Sequence, residues 1–424
     1  MGKFVIYGEK PLKGNVSIGG SKNAVVAILP AALLAENPCT IDNVPDVSDV
    51  HIIIDILRKL GAICEWKNDS VTIDARPVNT YVATDNNIGA LRGSYYFIGA
   101  LLGRFGRAEV SLPGGCNLGA RPIDQHLKGF KQLGADTTAD YGKVVANAPD
   151  GLMGNKIFFD VVSVGATINV MIAACTAEGL TQIENCAKEP HVVDVANFLN
   201  AMGANIKGAG TDVIKIRGVR ALKGGIRYTV IPDQIEAGTF MIAAAATGGE
   251  VTVCNIIPRH LDSLTAKLKE MNVGVETEED NIKIYSKDGS RMCATKIKTM
   301  PYPGFPTDLQ PQMTTLLSLV DGESTITEGV WESRFQYVDD LNRMGASINV
   351  NNKVAMISGN RKLRGATVRC PDLRAGAALV IAALASEGRS EVYDINYIDR
   401  GYADFEKKLR NLGADITRVD DRAE

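Results

Sequence analysis

The stretch SLPGGCNLGARPID, residues 111–124, concentrates residue types that do chemistry. Cys116 follows Gly114 and Gly115, and Arg121, Pro122, Ile123 and Asp124 come within the next eight positions. A segment this rich in glycine has little to bury, so its thiol does not read as a core cysteine. A cation beside a thiol favours the thiolate, which suits nucleophilic attack or proton transfer. The alternative is a free surface thiol without a task. A second stretch, IGGSKNAVV, sets Gly19 and Gly20 before a capping Ser21, with Lys22 and Asn23 in the first turn of an apolar helix. Helix N-termini attract anions, and a lysine there adds a full charge. The spacing is not that of a P-loop. Arg92 and Arg374 open later apolar helices, Arg121 follows the cysteine loop, and Arg400 lies in YIDRGY. Each alone reads as a solvated charge or an ion pair, but five cations at loops and helix starts point to an anionic ligand. Carboxylates accompany them: Asp308 in FPTDLQPQ, Asp233 and Glu236 in PDQIEAGTF, and Glu332 in VWESRF. A carboxylate among cations can act as a general base, and Asp308, held between Pro306 and an apolar helix, is the best placed. It can equally be read as that helix's cap.

The rest of the chain limits the reading. Its 424 residues suffice for two or three domains with proper cores. A net charge of −3 gives no electrostatic case for nucleic acid or an anionic membrane. MGKFVIYGEK does not show the basic and apolar regions of a signal peptide, and the apolar run 24–35 is too short to span a bilayer. Eight cysteines without a CxxC pair and four scattered histidines predict neither a disulfide framework nor a metal site. A cytoplasmic protein with reduced thiols is expected.

The elements that must position these residues repeat. Leu-Gly-Ala or Met-Gly-Ala recurs around Gly61, Gly134, Gly203, Gly345 and Gly413, and Met271-Asn272-Val273 fills the gap; the central residues are 73, 69, 69, 73 and 68 apart. Each copy has an alanine-rich apolar helix (ATINVMIAACTAEG, GAALVIAALASEG), a short strand, an amphipathic helix ending at the glycine, and two alternating segments. The grammar is βαβαββ, six times. Helices apolar on all sides belong inside, so two domains of three units, helices inside and sheets outside, are expected.

SKNAVVAILPAALLAE, LRGSYYFIGALLGRFGRAEVSLPGGCNLGARPIDQH, SVGATINVMIAA, FPTDLQPQ and YIDRGYADFEKKLRNLGA resemble the UDP-N-acetylglucosamine 1-carboxyvinyltransferase family of the EPSP synthase superfamily, over essentially the whole chain. The resemblance implies a two-domain inside-out α/β barrel of six βαβαββ repeats. Residues 22–231 would form the first domain and 1–21 plus 232–424 the second, with the active site in the cleft between them. It implies a cytoplasmic enolpyruvyl transferase of peptidoglycan precursor synthesis, with phosphoenolpyruvate and UDP-N-acetylglucosamine as small-molecule substrates and with no cofactor or metal. On the matching positions, Cys116 resembles the proton-donating cysteine that fosfomycin alkylates, and Lys22, Asp308 and Arg400 share the catalytic role with it. Lys22, Asn23, Arg121, Arg374 and Arg400 resemble the phosphoenolpyruvate site. Asn23, Arg92, Arg121, Pro122, Ile123, Asp124, Gln125, Ser163, Val164, Gly165, Asp308 and Val330 resemble the sugar-nucleotide site. Val161 departs from the pattern, since some relatives carry lysine there. The sister enzyme acting on shikimate 3-phosphate lacks the cysteine loop, and a non-catalytic regulatory paralogue is the third reading.

Overall fold

The computed structural model describes residues 2–84, 92–111, 123–287, 291–359 and 362–420. Its helices come in six pairs: α1 (Lys22–Ala31) and α2 (Ser48–Lys59), α3 (Tyr96–Phe105) and α4 (Asp124–Gln132), α5 (Val164–Ala174) and α6 (Pro190–Ala201), α7 (Gln234–Ala246) and α8 (Asp262–Glu270), α9 (Gln310–Leu319) and α10 (Val338–Arg343), α11 (Leu373–Ala385) and α12 (Phe405–Asn411). The first of each pair is the apolar helix, and it is sheathed by protein: every residue from 166 to 174, 235 to 245 and 374 to 384 is buried. Four of these helices begin at a capping side chain. Ser21 accepts from the Ala24 amide at 3.4 Å, Ser163 from Ala166 at 3.3 Å, Asp233 from Ile235 at 2.7 Å and Asp372 from Arg374 at 2.8 Å. Caps of this kind settle amide groups that the first turn leaves without partners.

The second helix of each pair stops where the repeat requires it. Gly61, Gly134, Gly203, Gly345 and Gly413 all take left-handed φ, between 91° and 113°. Asn272, in the degenerate copy, takes φ 67° at the same place. Asparagine tolerates this region better than most side-chain-bearing residues, so the fourth copy keeps its turn without glycine.

Each repeat closes a four-stranded sheet of one topology. A leading strand pairs parallel to the strand after the apolar helix, which pairs antiparallel to the inner strand of a hairpin. In the third sheet the order is 156–158, 180–184, 213–217, 205–207. Two leading strands are exchanged: Lys13–Ser17 precedes α1 but pairs with Glu250–Cys254, whereas Arg227–Thr229 precedes α7 but pairs with Cys39–Asp42. In the sixth sheet the inner hairpin strand is Lys3–Tyr7, in register with both 389–393 and 415–419. The strands stay in separate small sheets around the buried helices, and among the described residues they close no strand barrel.

The chain forms two compact units. One runs in the main from Gly20 to Ile231 and contains α1, α3 and α5 packed together; the other joins Met1–Gly19 to Pro232–Glu424 and packs α7, α9 and α11. Among the described residues no helix is long and apolar enough to cross a membrane.

One carboxylate in the first unit makes stability pH-dependent. Asp194 of α6 is buried, accepting from the Tyr228 hydroxyl at 2.5 Å and the Ile231 amide at 3.3 Å. Burial pushes its carboxyl up to about 6, against the pull of those donors. The folded state therefore holds this proton where the unfolded chain has lost it. The stabilisation is complete below about pH 4 and is lost as pH rises through about 6, by about 3 kcal/mol at most. Asp194→Asn is expected to raise the melting temperature at pH 8 and to gain much less at pH 4. An equal gain at both would show that the charge is not the cause.

Candidate active site

In the second unit Asp308 and two arginines meet at the start of α9. Thr307–Leu309 form a 3-10 turn, and Leu309, at the N-cap position of α9, makes no side-chain capping bond. Asp308 does not serve as the cap. It receives Arg334 Nη2 on Oδ1 at 3.3 Å and Arg374 Nη2 on Oδ2 at 3.2 Å. Both arginines are almost fully buried, whereas the Asp308 side chain is 31 % exposed, so the carboxylate has an open side. Arg334 also donates to the Thr307 carbonyl at 3.1 Å, fixing the turn. Arg374 keeps one buried nitrogen, Nη1, without a hydrogen-bond partner, and the same holds for Arg334 Nε and Asp372 Oδ2. The two guanidinium nitrogens are donors, which an anionic ligand would satisfy, whereas Asp372 Oδ2 is an acceptor, which it would not.

Glu328 organises the neighbouring loop. It is buried, and it accepts from Thr299 Oγ1 at 2.7 Å, Thr307 Oγ1 at 3.1 Å, and the amides of Val330 and Trp331 at 2.8 and 3.1 Å. Val330, an expected sugar-nucleotide contact, is thereby held exposed near the Asp308 turn. Arg400 ends the 3-10 segment Ile395–Arg400 and is half-buried.

In the first unit Lys22 opens α1 directly after its cap. Its ammonium meets Asp49 Oδ2 at 2.8 Å, with the lysine side chain 15 % exposed and the aspartate 2 %. The sequence reading did not name Asp49. It sits in the apolar stripe of α2 with Ile53 and Ile56, and a carboxylate on such a stripe was a usable signal. Asn23, beside Lys22, is half-buried. Gly20 lies so close to Asn43 that an added Cβ would stand 1.7 Å from its carbonyl oxygen.

The expected sugar-nucleotide residues at α4 and α5 are drawn together by buried polar groups. Ile123 precedes α4, and Asp124 opens it, exposed. Gln125, buried, donates to Asp124 at 2.7 Å and to the Asp160 carboxylate at 3.2 Å, and accepts from the Asp160 amide at 2.9 Å. Lys128 pairs with Asp160 at 2.7 Å, and with Gln125 it holds that carboxyl below its usual range. The next residues, Val161 and Val162, are exposed. Ser163, Val164 and Gly165 then start α5, where an added Cβ on Gly165 would stand 2.9 Å from His126 Nε2. His126 is itself buried against Asn169, whose amide reaches His126 Nδ1 at 3.0 Å and the Tyr95 carbonyl at 2.7 Å. His126 and Asn169 were also not singled out, although an amide within ATINVMIAA is conspicuous.

Arg92 begins the 3-10 turn before α3. Cys116, Arg121 and Pro122 lie outside the described residues. The other acidic candidates are absorbed elsewhere. Asp233 caps α7, and Glu236 pairs with Lys408 at 2.6 Å and accepts from the Gly19 amide, with burial raising its carboxyl. Glu332 is a surface carboxylate, 89 % exposed. Cys175 and Cys186 are buried thiols pushed up to about 12 by burial, as expected of core cysteines. Among the described residues no cluster of three or more His, Cys, Asp or Glu side chains is placed to hold a metal ion.

The family model for EPSP synthase (3-phosphoshikimate 1-carboxyvinyltransferase) matches residues 6–409. UDP-N-acetylglucosamine 1-carboxyvinyltransferase 3 of Caldanaerobacter subterraneus is 56 % identical over 419 residues, covering 99 % of this chain and all of its own. The Clostridium botulinum UDP-N-acetylglucosamine 1-carboxyvinyltransferase is 56 % identical over 423 residues, with 99 % of this chain and 100 % of its own covered. Among solved structures, the enolpyruvyl transferase NikO of Streptomyces tendae superposes with a TM-score of 0.90 at 27 % identity over 99 % of both chains. EPSP synthase of Acinetobacter baumannii, at 20 % identity and TM-score 0.74 over 99 % of this chain and 100 % of its own, shares the fold.

Proposed function

The chain belongs to the UDP-N-acetylglucosamine 1-carboxyvinyltransferases, and from this premise we propose that it transfers the enolpyruvyl group of phosphoenolpyruvate to the 3-hydroxyl of UDP-N-acetylglucosamine. Phosphate is released, and the product enters peptidoglycan precursor synthesis in the cytoplasm. The observation that carries the site assignment is Asp308 between Arg334 and Arg374, with a buried guanidinium nitrogen still unpartnered beside it.

In the reaction the 3-hydroxyl oxygen bonds to C2 of phosphoenolpyruvate as its proton passes to Asp308. C3 takes a proton, from Cys116 on this reading, and a tetrahedral phosphate-bearing intermediate results. Loss of that C3 proton and of phosphate restores the double bond and gives the enol ether. Lys22, Arg374 and Arg400, with Arg121 from the cysteine loop, hold the phosphate and carboxylate charges, which is most effective where water is excluded. Arg92, the run 121–125 and the start of α5 receive the sugar nucleotide. There the α5 amide groups and helix dipole, rather than a side chain at Val161, face its diphosphate.

The test is phosphate release from phosphoenolpyruvate with either UDP-N-acetylglucosamine or shikimate 3-phosphate as acceptor, with and without fosfomycin pretreatment. Release with the sugar nucleotide alone, abolished by fosfomycin and made resistant by Cys116→Asp, is expected. Release with shikimate 3-phosphate would reassign the acceptor. Binding of the sugar nucleotide without release would favour a regulatory paralogue.

A further inference from the structure

A buried polar triangle lies behind Arg374, and the catalytic account leaves it unused. Tyr402, only 2 % exposed, follows Arg400 by two residues and sends its ring beneath the Arg374 guanidinium, whose Cζ is 5.4 Å from the ring centroid. Its hydroxyl is 2.9 Å from Thr239 Oγ1 of α7 and 3.2 Å from Gln312 Nε2 of α9, and Gln312 Nε2 is 3.1 Å from Thr239 Oγ1. Thr239 spends its own proton on the Ile235 carbonyl at 2.7 Å. Tyr402 must then donate to Thr239, and its oxygen accepts from the Gln312 amide. The orientation of the phenol is fixed by this donor count. One side chain thus ties α7 and α9 to the guanidinium carried by α11.

Arg374 has few other restraints. Its charge is met by Asp308, by Asp233 and by the ring and hydroxyl of Tyr402, and Nη1 has no hydrogen-bond partner. A buried guanidinium packed over a ring is held in angle as well as in place. We propose that Tyr402 is a positioning residue for Arg374: the Thr239–Gln312–Tyr402 triangle aims the unpartnered guanidinium edge at the phosphoenolpyruvate anion. This rests on the functional reading above.

Tyr402→Phe keeps the ring and removes only the hydroxyl. It is expected to raise the KM for phosphoenolpyruvate about tenfold while leaving that for UDP-N-acetylglucosamine within about twofold. Thr239→Val is expected to do the same, Thr239→Ser to keep wild-type constants, and Tyr402→Phe with Thr239→Val to be no worse than either alone, because they break one network. A phosphoenolpyruvate KM unchanged in Tyr402→Phe overturns the proposal, as does an equal rise in both KM values. A purely structural triangle would lower the melting temperature and the active fraction without moving that KM, and this result also overturns it. If wild-type protein releases no phosphate, the functional reading falls, and calorimetric titration with phosphoenolpyruvate decides the proposal instead. Affinity weakened in Tyr402→Phe supports it and equal affinity refutes it.

Discussion

Asp308→Asn is expected to lower kcat by about 100- to 10,000-fold, the range a positioned general base supplies. The amide is nearly the same shape and can still accept from one arginine, but it cannot take the sugar hydroxyl's proton. The substitution also strips Arg334 and Arg374 of their shared anion, 3.3 and 3.2 Å away. Both guanidiniums are almost wholly buried, so part of the cost appears as stability, about 2 kcal/mol after allowing for the open side of the carboxylate. Two readings on one preparation separate these effects. Melting reports the unpaired arginines, and single-turnover kinetics report the base. A kcat within tenfold of wild type would remove Asp308 from proton transfer and leave it as an anchor for the arginines.

Lys22→Ala carries the second large effect, and the Asp49 pair makes it separable. The lysine is the cation of a carboxylate only 2 % exposed, at 2.8 Å. Taking it away leaves a buried charge poorly compensated, at a cost of about 3 kcal/mol. It also deletes the positive charge at the start of α1 that is proposed to meet the anionic substrate, with an expected loss of about 100- to 1,000-fold in kcat/KM. In the double variant Lys22→Ala with Asp49→Ala, melting is expected to recover and turnover is not. Turnover that recovers along with melting would mean Lys22 acts only by holding α1 to α2.

The fold was legible because its signals are local and repeated. A glycine every seventy residues or so marks a left-handed backbone position, and Asn272 shows that the position outlasts the residue type. Apolar runs such as ATINVMIAA leave no face for water, so burial inside a layered unit follows. The cations proposed to bind the anion were legible for a similar reason, since Lys22 and Arg374 mark helix starts that sequence alone can locate. Their partners were not. Asp49 meets Lys22 from another helix, and Arg334 reaches Asp308 from a loop 26 positions along the chain. Glu328 closes its own turn through the Val330 and Trp331 amides, but its bonds to Thr299 and Thr307 join groups that lie together only after folding. Pairing across elements leaves no spacing to read. The reading of Asp308 as a helix cap failed because a 3-10 turn precedes α9, and this turns the carboxylate toward the arginines.

The strand Lys3–Tyr7 lies beside Asp415–Val419 in the slot that the second hairpin strand fills in the other sheets, so the sixth sheet is a hairpin cut open at its turn. The seam of the second unit lies at this hairpin. During synthesis the span from Gly20 to Ile231 has all its strands early, while the strand Lys3–Tyr7 waits for partners about 400 positions downstream. At about 5–20 residues per second that wait is roughly 20–80 s. A tripeptide bridge joining residue 420 to residue 2, with new ends opened at a loop such as Asp150–Gly151, would heal the seam and let Lys3–Tyr7 follow its partners directly, moving the wait to Arg227–Thr229 and its partner Cys39–Asp42.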